Sequence, residues 1–186
     1  VLNRVKSIIR LRESTTMLTT MEKDSLTGLY EKDFFFRKVE QHLKDYPDED
    51  YVMWACDIQG LKVINEKYGF EMGDEVIKRL ATGKKPVDGV IFQGRIEGDK
   101  FAALVLKTTL PKIYEITKLP DMGLDFPVQN VVVKHGLYHI RRKTSLRPQG
   151  MYDRALLAIQ KIKNNYEVFL AEYDDVLRKE LLVQRQ

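Results

Sequence analysis

Hydrophobic positions divide the chain into segments of two periodicities. Val5, Ile8, Ile9, Leu18 and Met21 recur at roughly helical spacing, with Arg12, Glu13, Ser14, Thr15 and Thr16 breaking the stripe, which predicts a helix over 1–23. So imperfect a seam serves equally to dock on the following domain or to pair with a second copy. Residues 33–43 read as a helix with Phe34, Phe35, Val39 and Leu43 on one side, ended by "YPDED". "YVMWACDI", 51–58, is an apolar run closing on an acid, as a buried strand does. Residues 61–80 are helical, with an interruption at Gly69 and Gly73. Within "GRIEGDKFAALV", apolar residues flank a turn at Gly98 and Asp99, so 90–96 and 101–106 form a hairpin. A short helix over 111–119, a strand within "VQNVVVKHGLYHI", an amphipathic helix over 152–166 and a charge-rich helix from Val168 onward complete the pattern. Helices alternating with strands, one pair of which is a hairpin, predict an α+β fold: helices over a mainly antiparallel sheet.

Composition narrows the class. The 186 residues suffice for one domain with an appendage, and 44% hydrophobic with 31% charged content is ordinary for a globular protein. The net charge of +4 comes from interleaved acids and bases, so no nucleic-acid surface is indicated. Cys56 is the sole cysteine, which excludes an internal disulfide and fits a reducing, cytoplasmic setting. No apolar run approaches the roughly 20 residues that cross a bilayer, and no secretory signal is visible. The chain opens on Val1 rather than methionine, which reads as a fragment of a longer protein, with any sensor or membrane anchor outside it.

Two acids stand out by position. Asp57 ends a buried strand and Asp99 sits on the hairpin turn. If the strands are neighbours, both carboxylates meet at one sheet edge, where they suit Mg²⁺ and a phosphate ligand. Acids at strand ends and turns are commonplace, however, and the pair alone does not identify a site.

Four segments change that: "DSLTGLY" from Asp24, "DIQGLKVINEKYGFEMGDEVI" from Asp57, "RIEGDKF" from Arg95 and "YDRALLAIQKIKNN" from Tyr152. In this order and spacing they resemble the GGDEF family of diguanylate cyclase domains, over roughly residues 22–166. The resemblance implies a nucleotide-cyclase-like sheet, a GGDEF domain over 24–166 and linker helices over 1–23 and 167–186. It implies two such domains face to face, each holding GTP, each 3′-hydroxyl attacking the other's α-phosphate to give cyclic di-GMP and pyrophosphate. It also implies Mg²⁺ as cofactor. By the same resemblance Asp57, the carbonyl of Ile58 and Asp99 match the metal ligands. Gly60 and Leu61 match the phosphate-holding backbone, with Lys62 nearby, and Gly98 of the signature turn is matched to nucleotide binding as well. Asn65 and Asp74 match the guanine-reading pair; an Asp accepts from the adjacent N–H donors of guanine, which adenine lacks.

Departures from the pattern are specific. The signature here is Glu97-Gly98-Asp99-Lys100-Phe101. Lys100 replaces a carboxylate associated with metal and catalysis; alternation along a strand allows its side chain to point away. Glu97 stands where the family keeps open backbone beside the nucleotide. In the last family helix, Gln160 and Asn164 occupy the positions of a triphosphate-binding Lys and Arg. Lys161 is one residue off that face, about 100° around the axis, while Lys163 shares the face of Gln160 and is the candidate nucleotide-binding cation in its stead. The product-inhibition motif Arg-x-x-Asp is replaced by Asp88-Gly89-Val90-Ile91. His135 and His139, four apart on a strand, lie about 13 Å apart, too far to share a metal, and read as surface residues. Cys56 and Trp54 read as core, and Arg141, Arg142 and Lys143 as a solvated loop.

Three functions follow. The first is a degenerate, regulatory domain that binds GTP or GDP with cyclisation weak or lost, tuning an EAL-type phosphodiesterase domain after the linker "YEVFLAEYDDVLRKELLVQ". The second is a slow cyclase with Asp57 and Asp99 sharing Mg²⁺. The third is a ligand-free homodimerisation module driven by the N-terminal helix.

Overall fold

The computed structural model describes residues 22–83, 87–117, 122–123 and 125–183. The helix expected over 1–23 lies almost entirely outside them. In chain order the elements are β1 (Tyr30–Glu31), α1 (Lys32–Asp45), β2 (Tyr51–Ile58), α2 (Leu61–Tyr68), α3 (Phe70–Thr82), β3 (Val90–Glu97), β4 (Lys100–Leu106), α4 (Leu110–Ile116), β5 (Val133–His139), α5 (Pro148–Ile162), β6 (Leu170–Glu172) and α6 (Asp175–Val183). The six strands form one sheet in the order β1-β3-β4-β2-β5-β6. The inner pairs β3–β4, β2–β4 and β2–β5 are antiparallel, and the edge pairs β1–β3 and β5–β6 are parallel. The α+β expectation stands.

Both faces of the sheet are covered. Alternation along β2 sends Tyr51, Met53 and Ala55 to one face, where they pack with Phe35 and Val39 of α1 and Met151, Ala155 and Ile159 of α5. Val52 and Trp54 face the other way, onto Leu110 and Ile113. Further along that second face, Ile58 and Val133 meet Val76 and Ile77 of α3. A strand buried on both faces must be apolar throughout, which is why "YVMWACDI" shows no period of two.

Several boundaries differ from the sequence reading. Residues 61–80 split into two helices at Gly69 alone (φ +87°), while Gly73 lies inside α3. Helix α5 begins at Pro148, four residues early, because proline's fixed φ suits the first helical position. The strand in "VQNVVVKHGLYHI" is confined to Val133–His139. The helix expected from Val168 is corrected: Leu170–Glu172 completes the sheet as β6, and only Asp175–Val183 is helical. His135 is also corrected: it is buried, and its Nδ1 accepts the Trp54 indole N–H at 3.2 Å. His139, at the strand end, lies at the surface beside Glu172.

Helix α5 approaches β5 so closely that a Cβ on Gly136 would lie 1.9 Å from the Ala155 carbonyl oxygen. Backbone cannot step aside as a side chain can. Gly136→Ala is therefore expected to cost about 1–3 kcal/mol, read as a lower urea-unfolding midpoint. His135 gives a pH signature. Burial first, then the Lys134 charge, lower its pKa from 6.5 to about 3. Between those values the unfolded chain binds a proton that the folded chain refuses, so stability falls as pH falls. The expected loss from this group between about pH 7 and about pH 5 is about 2 kcal/mol, and the urea midpoints of His135→Gln should show a shallower pH slope.

Candidate functional site at the end of the central strands

The hairpin turn brings the expected residues to one end of the sheet. Asp57 pairs across the ladder with Lys100, and Lys100 with Glu97. Opposed residues on neighbouring strands project to the same side, so these three side chains share a face. The backbone fixes Asp99 beside them: the Ile58 N–H donates to the Asp99 carbonyl at 3.1 Å. Lys100 does not point away. Its ammonium donates to Asp99 Oδ1 at 3.0 Å, both side chains being about a third exposed. The alternation argument failed because register, not direction along β4, decides which neighbours a side chain meets.

Charge at this end is tightly coupled. Burial, then the Asp99 charge, raise the Asp57 pKa above the usual carboxylate range; Lys100, Gln59 and Lys163 pull the other way without cancelling this. Burial alone would lower the Lys100 pKa, but the Asp99 hydrogen bond and charge, with Asp57 and Glu97, raise it. Lys100 is therefore an ammonium at any ordinary pH.

A second cluster lies on the helices after β2. Gly60 (φ +71°) turns the chain from strand into α2, in a conformation that a side chain would strain. Leu61 is half-buried and Lys62 exposed in the first turn, where helix N–H groups lack intrahelical partners. Asn65 follows Gly60 by about 7 Å along the helix axis. Its side chain reaches α3 at Gly73, where a Cβ would lie 1.8 Å from Asn65 Oδ1. Asp74 is the next residue, exposed at the surface, so the two residues matched to guanine reading are neighbours across the helix pair. Asn65 Oδ1 is buried and has no hydrogen-bond partner among the described residues.

A family model for the diguanylate cyclase GGDEF domain matches residues 21–165. The chain belongs to the GGDEF family. A probable diguanylate cyclase of Escherichia coli K12, DgcT, is 24% identical over 154 residues, covering 76% of this chain and 33% of that protein. An uncharacterized Bacillus subtilis protein, YhcK, is 31% identical over 99 residues, 51% of this chain and 28% of that protein. The chain thus spans a third or less of the curated relatives it matches. Among solved structures, the coiled coil and GGDEF domain of Caulobacter crescentus DgcB, in complex with c-di-GMP, matches with a TM-score of 0.73. Identity is 20%, and the match covers 92% of this chain and 96% of that one.

GGDEF cyclases are nucleotide cyclases that normally use metal ions, and the metal positions can be tested here on their own geometry. Asp99 already binds an ammonium, and the cross-strand partner of Asp57 is that same lysine. Among the described residues no three His, Cys, Asp or Glu side chains form a group able to hold a metal. As arranged, the Asp99 carboxylate is turned to Lys100, and Asp57 stands opposite that lysine on the neighbouring strand.

The remaining expected residues divide. Lys161 turns to Glu180 of α6 at 3.7 Å, whereas Lys163, just past the end of α5, contributes its charge to Asp57. Gln160 and Asn164 are exposed and uncharged. Cys56 is held as a thiol by burial and the Asp57 charge, which leaves it inert as a nucleophile. Arg141 and Arg142 lie at the surface on Asp175 and Asp50.

Sequence reasoning missed one tie. Arg95 Nη1 binds both carboxylate oxygens of Asp24 at 3.2 Å, and its Nε donates to the Gly98 carbonyl at 2.9 Å. Asp24 also accepts from the Thr27 N–H and hydroxyl. Burial alone would raise the Asp24 pKa, but the Thr27 hydrogen bonds and then Arg95 hold it below its ordinary value. The motif "DSLTGLY" thereby anchors the signature turn to the domain's entry. The signal was present in Arg95, two residues before the signature, but nothing in the sequence named its partner.

Gly73 offers a separable test. Gly→Ala inside a helix is intrinsically stabilising by roughly 0.5–1 kcal/mol, and the atom met here is the mobile tip of Asn65 rather than backbone. Gly73→Ala is expected to hold or raise the melting temperature while shifting the Asn65 side-chain amide resonances. Unmoved resonances would show that Gly73 does not set the Asn65 position.

Proposed function

We propose that this chain is a degenerate GGDEF domain, a regulatory module that binds GTP or GDP and in which cyclisation is weak or lost. The observation that carries the reading is a contrast within one site. At the end matched to guanine, Asn65 reaches Gly73, the neighbour of Asp74, and its Oδ1 is unpartnered among the described residues. At the reacting end, Lys100 occupies Asp99. Binding needs the first end and the Gly60–Leu61 backbone, with Lys62 and Lys163 supplying positive charge to phosphate. Attack of a 3′-hydroxyl on an α-phosphate needs more: its proton must be lost, and charge developing at phosphorus must be neutralised. Lys100, protonated and ion-paired, cannot take that proton. Gln160 and Asn164 provide no cation for the triphosphate.

The setting follows the same reading. The function is placed within cyclic di-GMP signalling in the cytoplasm, where Cys56 stays reduced. No helix among the described residues is long and apolar enough to cross a membrane. A second copy of the domain is the partner that any residual cyclisation would require. An EAL-type domain in a longer chain is the partner whose activity nucleotide binding here would tune.

The test measures both functions on one sample. Calorimetric titration with GTP and GDP should detect binding that Asn65→Ala and Asp74→Ala each weaken by about tenfold, the loss of roughly one buried polar contact. Prolonged incubation with GTP and Mg²⁺ should yield little or no cyclic di-GMP. Lys100→Glu combined with Glu97→Gly should raise turnover; no gain would place the larger defect at Gln160 and Asn164. Robust product formation that Asp99→Ala abolishes would overturn the degenerate reading, and absence of binding at millimolar nucleotide would overturn the nucleotide-binding one.

A further inference from the structure

The acid-bearing end of the sheet already contains a cation. Lys100 Nζ lies 3.0 Å from Asp99 Oδ1, and β-register sets Lys100 between Asp57 on one neighbouring strand and Glu97 on the other. The ammonium is thus in hydrogen-bond contact with Asp99, while Asp57 and Glu97, opposite it on the two neighbouring strands, add their negative charge. Its position is held from below by backbone: Ile58 N–H donates to the Asp99 carbonyl, and Arg95 Nε donates to the Gly98 carbonyl. The first bond ties the turn to the end of β2, and the second closes the hairpin on itself.

Mg²⁺ would need oxygen ligands at about 2 Å in near-octahedral arrangement. The only turn carboxylate available to it is the one that Lys100 holds. An ammonium and a divalent ion on the same carboxylates repel one another, and the tethered one has no translational freedom to lose on arrival.

We propose that Lys100 is the resident cation of this site: its ammonium stands where a divalent ion would bind, so guanine nucleotide is bound without metal. The proposal rests on the nucleotide-binding reading above and deepens it. In place of an ion that arrives with the phosphates and neutralises them, the domain presents one fixed positive charge, backed by Lys163. Such a site senses guanine nucleotide irrespective of free Mg²⁺. It also keeps Asp57 and Asp99 from assembling a reactive centre while preserving their place in the fold.

Two measurements separate this from the parent reading. First, GTP and GDP are titrated into the protein in Mg²⁺ and in EDTA. Dissociation constants differing by less than about tenfold support the proposal, and tenfold or more tighter binding in Mg²⁺ overturns it. Second, Mn²⁺ alone is titrated into nucleotide-free protein and followed by electron paramagnetic resonance. Wild type should leave Mn²⁺ free, and Lys100→Glu should take it up. Lys100→Met, which adds no like charge, serves as the folded control should the glutamate variant unfold, and is expected to take up Mn²⁺ more weakly than Lys100→Glu but more than wild type. Mn²⁺ uptake by wild type that Asp99→Ala removes, or no uptake by either folded variant, would overturn the resident-cation role. Loss of nucleotide binding in both buffers would instead remove the parent reading, and the nucleotide half of this one with it.

Discussion

Strand β2 is paired on both edges and covered on both faces, and this placement decides where chemistry can occur. Its ladder partners β4 and β5 satisfy its backbone, and α1, α5, α3 and α4 cover its side chains. An apolar strand so enclosed can carry a polar side chain only where cover runs out. That point is Asp57, one residue before the strand ends. The antiparallel neighbour then supplies its turn at the same level, because a hairpin paired with β2 in this register must place Lys100 beside Asp57. The site is thus a consequence of strand length and register rather than of any local motif.

The same geometry explains why one altered residue matters so much. On a solvated surface, Lys100 beside Asp99 would contribute little, since exposed ion pairs are weak. Here the pair is partly buried beside further acids. Asp57 is raised by burial and Asp99, and Lys100 is held protonated against the effect of burial by Asp99, Asp57 and Glu97. Lys134 adds a second lysine opposite Asp57, but its ammonium is committed elsewhere, to the carbonyls of Asn165 and Val168 at 2.6 and 2.5 Å. Two lysines flank one aspartate across the ladder, and the sheet assigns them different work. One ties down the chain leaving α5, and the other is turned to the acids.

What the sequence disclosed, and what it did not, follows the range of each interaction. Strand β2, the hairpin and the two central helices were legible because their signals are local: an apolar run, Gly98-Asp99, and apolar stripes. Strand β6 was not, because three residues flanked by charge carry no period, and only pairing with β5 makes them a strand. His135 and His139 share a face by alternation, as expected, yet one is buried against Trp54 and the other lies at the strand end. Periodicity reports the face and says nothing of depth along the strand. Gly73 looked like a helix break, and is instead space for a side chain on another helix. The residues matched to the nucleotide site were nameable from motif resemblance alone, while the direction of Lys100 and the Asp24–Arg95 tie required three-dimensional register.

The substitutions are easier to understand together than singly. The family pattern keeps an acid at position 100 and cations at 160 and 164: metal is gathered at the turn and triphosphate at the helix. This chain has the reverse distribution, with Lys100 at the turn and Gln160 and Asn164 on the helix. Moving positive charge from helix to turn leaves the turn less acidic without an ion and leaves the helix with less to offer a long phosphate chain. An isolated loss of the turn acid would have left Asp57 and Asp99 facing one another with no counter-ion when metal was absent, a like-charge pair that burial makes costly. Lysine at that position offsets part of that repulsion in the unliganded domain. Lysine rather than a neutral residue therefore has a structural rationale that does not depend on catalysis: the register creates an acidic corner, and a cation carried by the chain offsets part of its charge.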